Sequence, residues 1–300
     1  MVGGKSRMEQ IIKIGTCLPG WMAEKALGAA IDEGYETGSV NFHMKTFDAD
    51  FLKELAQKLN AIIDGRDFEI TTLGFYLNPV ENEEHFEFLK TVIDSAHLFG
   101  ATHVSTFAGA YNGKPVEEAV PRFGEVFREL VAHAEANGVK LGIECCPMGG
   151  GWNHATCNIG FTPRAWELMF NEVSSDSFGL EWEPTHVMFQ LIDPIANLKD
   201  WVHKVVHVHG KDANIDWDWV RKYGTFCSVG NYARDRIPGM GDTDWRKIFT
   251  ILRDAGYTDD ICVEGYHDKL FGGELETMGQ LHALRYLKWC RGGDFTANPW

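Results

Sequence analysis

The sequence predicts a single-domain α/β protein, a (β/α)8 TIM barrel, and three observations lead there. Strand-like and helix-like hydrophobic periods, about 2 and about 3.6 residues, alternate from one end of the chain to the other. Eight strand-like runs occur, one per roughly 37 residues, which is the repeat of such a barrel. After the first run the chain reads Cys17-Leu18-Pro19-Gly20, not the glycine-rich phosphate turn that a dinucleotide-binding doubly wound sheet would carry there.

The eight runs are residues 11–17, 39–43, 68–76, 103–107, 139–144, 178–183, 205–209 and 260–264. Helical patterns separate them. The clearest spans residues 116–134, where Val116, Val120, Phe123, Phe127, Leu130 and Ala134 share one face. Helix starts are marked by Asn82-Glu83-Glu84, Thr162-Pro163 and Asp242-Thr243-Asp244. Ends are marked by Gly34, Gly65, Gly100, Gly138 and Gly256. Two connections, 147–161 and 213–241, exceed the usual loop length and are expected to be functional lids. The barrel is expected over residues 11–292. Residues 1–10 lack a signal peptide's apolar stretch and are expected to be an extension, disordered or vector-derived, with 293–300 a C-terminal tail.

Composition narrows the function classes. The 300 residues carry 28 basic and 43 acidic side chains, a net charge of −15, which repels nucleic acid and anionic membranes. A hydrophobic content of 44% and a charged content of 24% are those of a globule with a sizeable core. No apolar run approaches the ~20 residues of a spanning helix. Seven cysteines without an export signal read as reduced thiols in the cytoplasm.

Strand alternation then locates polar groups. In the fifth run Val139, Leu141 and Ile143 share one face, leaving Lys140, Gly142 and Glu144 on the other. In the sixth, Gly179, Glu181 and Glu183 oppose Phe178, Leu180 and Trp182. His207 and His209 point inward in the seventh, and Cys262 and Glu264 in the eighth. Four consecutive strands thus aim ionisable groups at the axis near their C-terminal ends, the face where this fold places active sites. Three carboxylates and an imidazole converging there call for a cation, since burying them uncompensated costs several kcal/mol each. A mostly oxygen donor set with one nitrogen suits Mn²⁺, Mg²⁺ or Co²⁺ better than a Cys/His zinc site, with Mn²⁺ expected first and Zn²⁺ last.

At these residues the chain resembles the sugar isomerase/epimerase superfamily of xylose isomerase-like TIM barrels, also called the AP endonuclease 2 fold family. The resemblance runs from Lys13 to about Arg291. It rests on Leu141-Gly142-Ile143-Glu144, on Gly179-Leu180-Glu181-Trp182-Glu183-Pro184-Thr185-His186 and on His207-Val208-His209-Gly210-Lys211-Asp212. Pro238-Gly239-Met240-Gly241 and Val263-Glu264-Gly265 complete it. The match implies Glu144, Glu183, His209 and Glu264 as ligands of one divalent metal, with Glu183 where the family usually has Asp. It also implies that His186 touches substrate and that Glu144 and Glu264 exchange a proton with it through an enediolate.

Departures from the family limit what carries over. Ketose 3-epimerases carry a second Glu six residues after the first ligand and an Arg six after the metal His; here these are Gly150 and Ile215. A substrate other than a free ketose is therefore expected. Endonuclease IV relatives bind three metals with a larger histidine set, including one where this chain reads Arg234-Asp235-Arg236-Ile237, which together with the charge argues against DNA. The resemblance implies an isomerase or epimerase acting on a ketose or oxo-sugar. Its alternative is elimination from a 3-oxo-glycoside, as in C-glycoside deglycosidase large subunits, which pair with a small β-rich subunit. A non-catalytic carbohydrate-binding barrel is the third reading. A homo-oligomer is expected for the first.

Other residues have lesser claims. His43 ends the second strand at the active face, and Trp21 and Trp152 follow strands one and five, where aromatic faces suit a sugar ring; each could equally serve loop packing. His154 could be a lid base or a solvated loop residue, and Lys211 could meet a substrate oxygen or a neighbouring carboxylate. His103, at a strand start, belongs to the barrel bottom. Cys145 and Cys146 read as small fillers. The turn around Gly239–Gly241 offers backbone for a phosphate, which the acidic balance disfavours.

Overall fold

Barrel closure follows from strands whose two faces differ in kind. The computed structural model describes residues 11–292, so the expected extension at 1–10 and tail at 293–300 lie outside the described residues. Eight parallel strands close the barrel: β1 (Lys13–Pro19), β2 (Thr37–His43), β3 (Glu69–Tyr76), β4 (His103–Thr106), β5 (Lys140–Glu144), β6 (Phe178–Trp182), β7 (Val205–Gly210) and β10 (Asp260–Val263). Their order around the barrel is β1-β10-β7-β6-β5-β4-β3-β2. Each predicted run coincides with one of them to within two residues at either end.

The helices are α1 (Ala23–Glu33), α2 (Ala49–Ile63), α3 (Glu83–Phe99), α4 (Val116–Ala136), α5 (Pro163–Glu172), α6 (Pro184–Met188), α7 (Pro194–Trp201), α8 (Trp217–Tyr223), α9 (Trp245–Asp254) and α10 (Glu276–Cys290). All six stripe residues of α4 are buried. Asn82 caps α3, its side chain accepting from the Glu84 and His85 amides. Thr162 precedes α5 without a side-chain capping bond; its carbonyl accepts from the Ala165 and Trp166 amides, and Pro163 takes the first helical position. Asp244 rather than Asp242 caps α9, and Asp242 instead accepts from Asn214 and the Ile215 amide. The five predicted end glycines all have positive φ.

The loop expected over 213–241 is a structured excursion. β8 (Asp212–Ile215) and β9 (Ala233–Arg236) pair antiparallel, with α8 between them. Four-residue strands of mixed polarity carry no readable alternation, which is why the sequence gives no sign of them. Arg236 ties the excursion down through buried Asp268 at 3.2 Å, and the Ile237 amide donates to the same carboxylate at 3.0 Å. Asp212 holds its return: Oδ1 accepts from the Ala213 and Thr243 amides and Oδ2 from the Trp245 indole. A Cβ at Gly241 would lie 2.2 Å from that carboxylate, so the Pro-Gly-Met-Gly turn is an anchor for the loop.

Inside the barrel the filling is polar. Thr37, Ser39, Thr72, Ser105, His207 and Asp260 are buried there, where this fold ordinarily packs Val, Ile and Leu. His103 sits at the bottom, as expected, with Nε2 3.6 Å from Asp259. All seven cysteines are free. Among the described residues no helix is long and apolar enough to cross a membrane.

The seam between the first and last units is fastened by Arg291. Its two terminal nitrogens reach Glu36 at 2.6 and 3.0 Å, and Nη1 also donates to the Ile12 carbonyl at 2.9 Å. Arg291→Ala removes the two-pronged partner of the half-buried Glu36 carboxylate, leaving it the Ile14 amide at 2.7 Å and Lys288 at 3.6 Å, and is expected to cost about 1–3 kcal/mol. Urea unfolding reads this as a lower midpoint at constant slope; an unchanged midpoint would contradict the role of this clasp.

Candidate active site

The site is built where β5, β6, β7 and β10 end. Glu144 is the last residue of β5, and Glu264 follows β10, its amide donating to the Gly210 carbonyl at 3.1 Å. Glu183 follows β6 in extended conformation and becomes the N-cap of α6, whose first position is Pro184. That turn places His186 one helical step on, with Nε2 2.8 Å from Glu183 Oε1. His209 sits one residue before the end of β7, and Lys211 continues the same inward face.

One ligating atom from each of Glu144, Glu183, His209 and Glu264 lies within 4.8 Å of all the others. His209 Nδ1 is central, at 3.6 Å from Glu144, 3.5 Å from Glu183 and 3.7 Å from Glu264. Glu183 Oε2 and His209 Nδ1 are buried without a hydrogen-bond partner. Native proteins rarely leave such groups unsatisfied. Three carboxylates and an imidazole aimed at one point, with those atoms free, fit a divalent cation. The donor set could hold one through Glu144, Glu183, His209 and Glu264.

The opposite edge of His209 is held from below. Nε2 lies 3.2 Å from Glu181 Oε1, and Tyr76 donates to Glu181 Oε2 at 3.0 Å. Nε2–H toward a carboxylate leaves the Nδ1 lone pair for the cluster. Glu181 also meets His207 Nδ1 at 2.7 Å, and the far side of His207 faces Asp260 at 3.5 Å. Burial alone would lower the His207 pKa, but Asp260 and Glu181 outweigh it and lift the value to about 9. The imidazole is therefore the cation of a buried Glu–His–Asp triad.

Charge is divided unevenly at the cluster itself. Burial, then the Glu264 charge, pushes Glu144 well above the usual carboxylate range. Burial also opposes ionisation of Glu183, yet His186 and Lys211 prevail and hold it well below that range. Lys211 is buried with Nζ 3.1 Å from Glu264 and 3.8 Å from both Glu183 and Asp235.

Above the cluster opens a cavity of about 680 Å³. Glu144, His186, Lys211, Glu264, His43 and Trp21 line it. Two predicted residues do not, which corrects their expected substrate role. Trp152 packs half-buried against the core beneath its own loop, and its carbonyl accepts from Val116. His154 is exposed and bound through Nδ1 to the Gly113 carbonyl at 2.8 Å, so neither it nor Trp152 reaches the cavity. From the 147–161 connection it is Met148 that contributes, with Cys146 just before it. Cys145 is buried, and burial pushes its thiol up, so it is no nucleophile.

The sequence reading missed Asn41, Tyr76, Phe107, Phe189, Asp235, Tyr266 and His267, all on the lining. Strand parity could have supplied Asn41 and Tyr76, which continue the inward sets of β2 and β3. Tyr266 donates to Glu264 Oε1 at 2.9 Å from beyond the strand end, where parity no longer applies.

Comparison with known proteins gives the family of this fold. Residues 27–288 match the family model described as xylose isomerase-like TIM barrel, and the chain belongs to that family. Inosose dehydratase of Clostridium perfringens is 24% identical over 249 residues, covering 77% of this chain and 80% of that protein. A match of 29% over 99 residues to the inosose dehydratase of Clostridium tetani covers 32% of this chain and only 33% of that one. Among solved structures, a 3-keto-D-glucoside 4-epimerase from E. coli superposes with a TM-score of 0.68 at 14% identity, over 93% of this chain and 100% of that chain.

The placement of Glu181 yields a test that leaves all four cluster residues intact. Glu181→Gln keeps the shape but weakens the acceptor that fixes His209. Affinity for Mn²⁺, titrated by calorimetry, is expected to fall roughly 10–100-fold. Equal affinity in a folded variant would show that His209 needs no such partner.

Proposed function

We propose that this chain is a divalent-metal-dependent enzyme that enolises a sugar or oxo-sugar, as an isomerase or epimerase. The observation that carries the reading is the convergence of Glu144, Glu183, His209 and Glu264, with unsatisfied atoms, at the floor of a cavity on the barrel's active face. A divalent ion held there supplies Lewis-acid polarisation of a carbonyl oxygen.

The protein's own groups then handle the proton. Glu144 and Glu264 stand on the outermost of the four contributing strands, so a substrate between them meets a carboxyl on either side. One takes the proton from the carbon beside the carbonyl and leaves an enediolate. Return of a proton to the neighbouring carbon gives isomerisation, and return to the opposite face of the same carbon gives epimerisation. His186 and Lys211 line the floor beside them and are placed to orient substrate hydroxyls.

Elimination is the second reading, and two observations favour it. The residues that grip a free ketose are missing: Gly150 is crowded by the Thr156 backbone, and Ile215 lies on β8 in the excursion. The relatives named inosose dehydratase expel water by their printed name. Here the same proton abstraction is followed by departure of a hydroxyl or an aglycone from the next carbon.

Incubation of the metal-loaded enzyme with inososes, ketoses and 3-oxo-glucosides in D₂O tests both readings by NMR. Deuterium is expected to enter the carbon beside the carbonyl of the true substrate, and product analysis separates isomerisation from elimination. Glu264→Gln, assayed at a metal concentration that keeps it loaded, is expected to slow the exchange by ~10²–10⁴-fold. A metal-replete variant with unchanged exchange would remove Glu264 from the mechanism. Sugar binding without any exchange would identify a carbohydrate-binding barrel instead.

A further inference from the structure

The cavity's lining is sorted in an unusual direction. The buried polar residues Asn41, Glu144, His186, Lys211 and Glu264 form the floor, while His43, His267 and Glu276 on the lining are exposed. Its apolar residues grow more exposed toward the mouth, from Phe107, fully buried, through half-buried Met148 and Phe189 to Tyr266, Met22 and Trp21. Trp21 is 73% exposed. Contiguous apolar surface left in water beside a functional site marks a contact to be made.

The outermost part is built into the fold. The turn Gly20–Met22 directly follows β1. A Cβ at Gly20 would fall 2.1 Å from the Phe42 ring, so only glycine lets the turn pack this closely. The consequence is that Trp21 and Met22 stand out at the cavity mouth.

Size and charge complete the argument. About 680 Å³ is in the range that encloses a drug-sized ligand, and the polar floor is a small part of its wall. Among the described residues no arginine lines the cavity, and the one lysine that does, Lys211, is already committed to Glu264 at 3.1 Å. Exposed Glu276 and half-buried Asp235, also on the lining, repel a phosphate or carboxylate.

We propose that the substrate is an uncharged sugar bearing a planar apolar substituent. The sugar lies on the buried polar floor and the substituent against Trp21, Met22, Phe107, Met148, Phe189 and Tyr266. This rests on the reading that the four-residue cluster receives a sugar, and it adds what is attached to that sugar.

The test is calorimetric titration of the Mn²⁺-loaded protein with methyl 3-oxo-β-D-glucopyranoside, its phenyl counterpart and D-glucose 6-phosphate. The phenyl compound is expected to bind about tenfold or more tightly than the methyl one, from the apolar area it buries. The phosphate is expected to bind weakest. Trp21→Ala, at a side chain too exposed to affect folding, is expected to bring the phenyl-to-methyl ratio toward one. Equal binding of the methyl and phenyl compounds, or tightest binding of the phosphate, overturns this inference and leaves the enolisation reading standing. Absence of binding by either glycoside overturns the two together. A mouth that serves a second copy of the chain instead would appear as a dimer dispersed by Trp21→Ala with no phenyl preference, which also overturns it.

Discussion

The constraint on which the rest depends is the cost of gathering ionisable groups where water cannot reach them. Glu144, Glu181, Glu183, His209 and Glu264 are all buried, and all lie on or just beyond four adjacent strands. Burial, and then the neighbouring Glu264 carboxylate, raise the proton affinity of Glu144. The protein offsets part of this with its own cations. Lys211 sits between Glu183 and Glu264, and His207 between Glu181 and Asp260. What it leaves uncompensated are the inward-facing atoms of the upper cluster, and a divalent cation there removes both the repulsion and the missing bonds.

The barrel is adapted to support that arrangement from beneath. A conventional interior of branched aliphatics would give His209 nothing to lean on. Here the polar filling runs as a connected column: Tyr76 and His207 on Glu181, then Asp260, whose Oδ2 accepts from Thr37 at 2.5 Å and Thr71 at 2.7 Å. Each member fixes the next, so the orientation of His209 is set by packing that reaches the lower half of the barrel. The apolar core has moved outward, between strands and helices, where Leu141, Ile143, Leu180 and Val208 are fully buried.

How much of this was legible in the sequence follows from which signals survive without coordinates. Period-two alternation holds throughout a barrel strand, so all eight strands and the inward direction of Glu144, Glu181, Glu183, His207, His209 and Glu264 could be read from it. The β8–β9 excursion could not, because its strands are only four residues long and fastened by long-range bonds through Asp268 and Asp242. Loop residues failed for a related reason. Trp152 and His154 were placed by their nearness to β5 in sequence, but their loop folds back toward Gly113 and α4. Tyr266 reaches the site from a loop and Asp235 from β9, which only three-dimensional closure brings over it.

The central claim is that the buried cluster is a cation site that stabilises the folded chain. The most direct measurement is the thermal midpoint of chelator-treated protein as Mn²⁺ is added, together with the number of ions bound per chain. A single bound ion and a midpoint that climbs with Mn²⁺ are predicted, corresponding to about 2.7 kcal/mol at a hundredfold excess over Kd. The climb is predicted to vanish in Glu183→Gln and His209→Ala. A midpoint indifferent to Mn²⁺ and to chelator, in protein that binds no ion, would contradict the account.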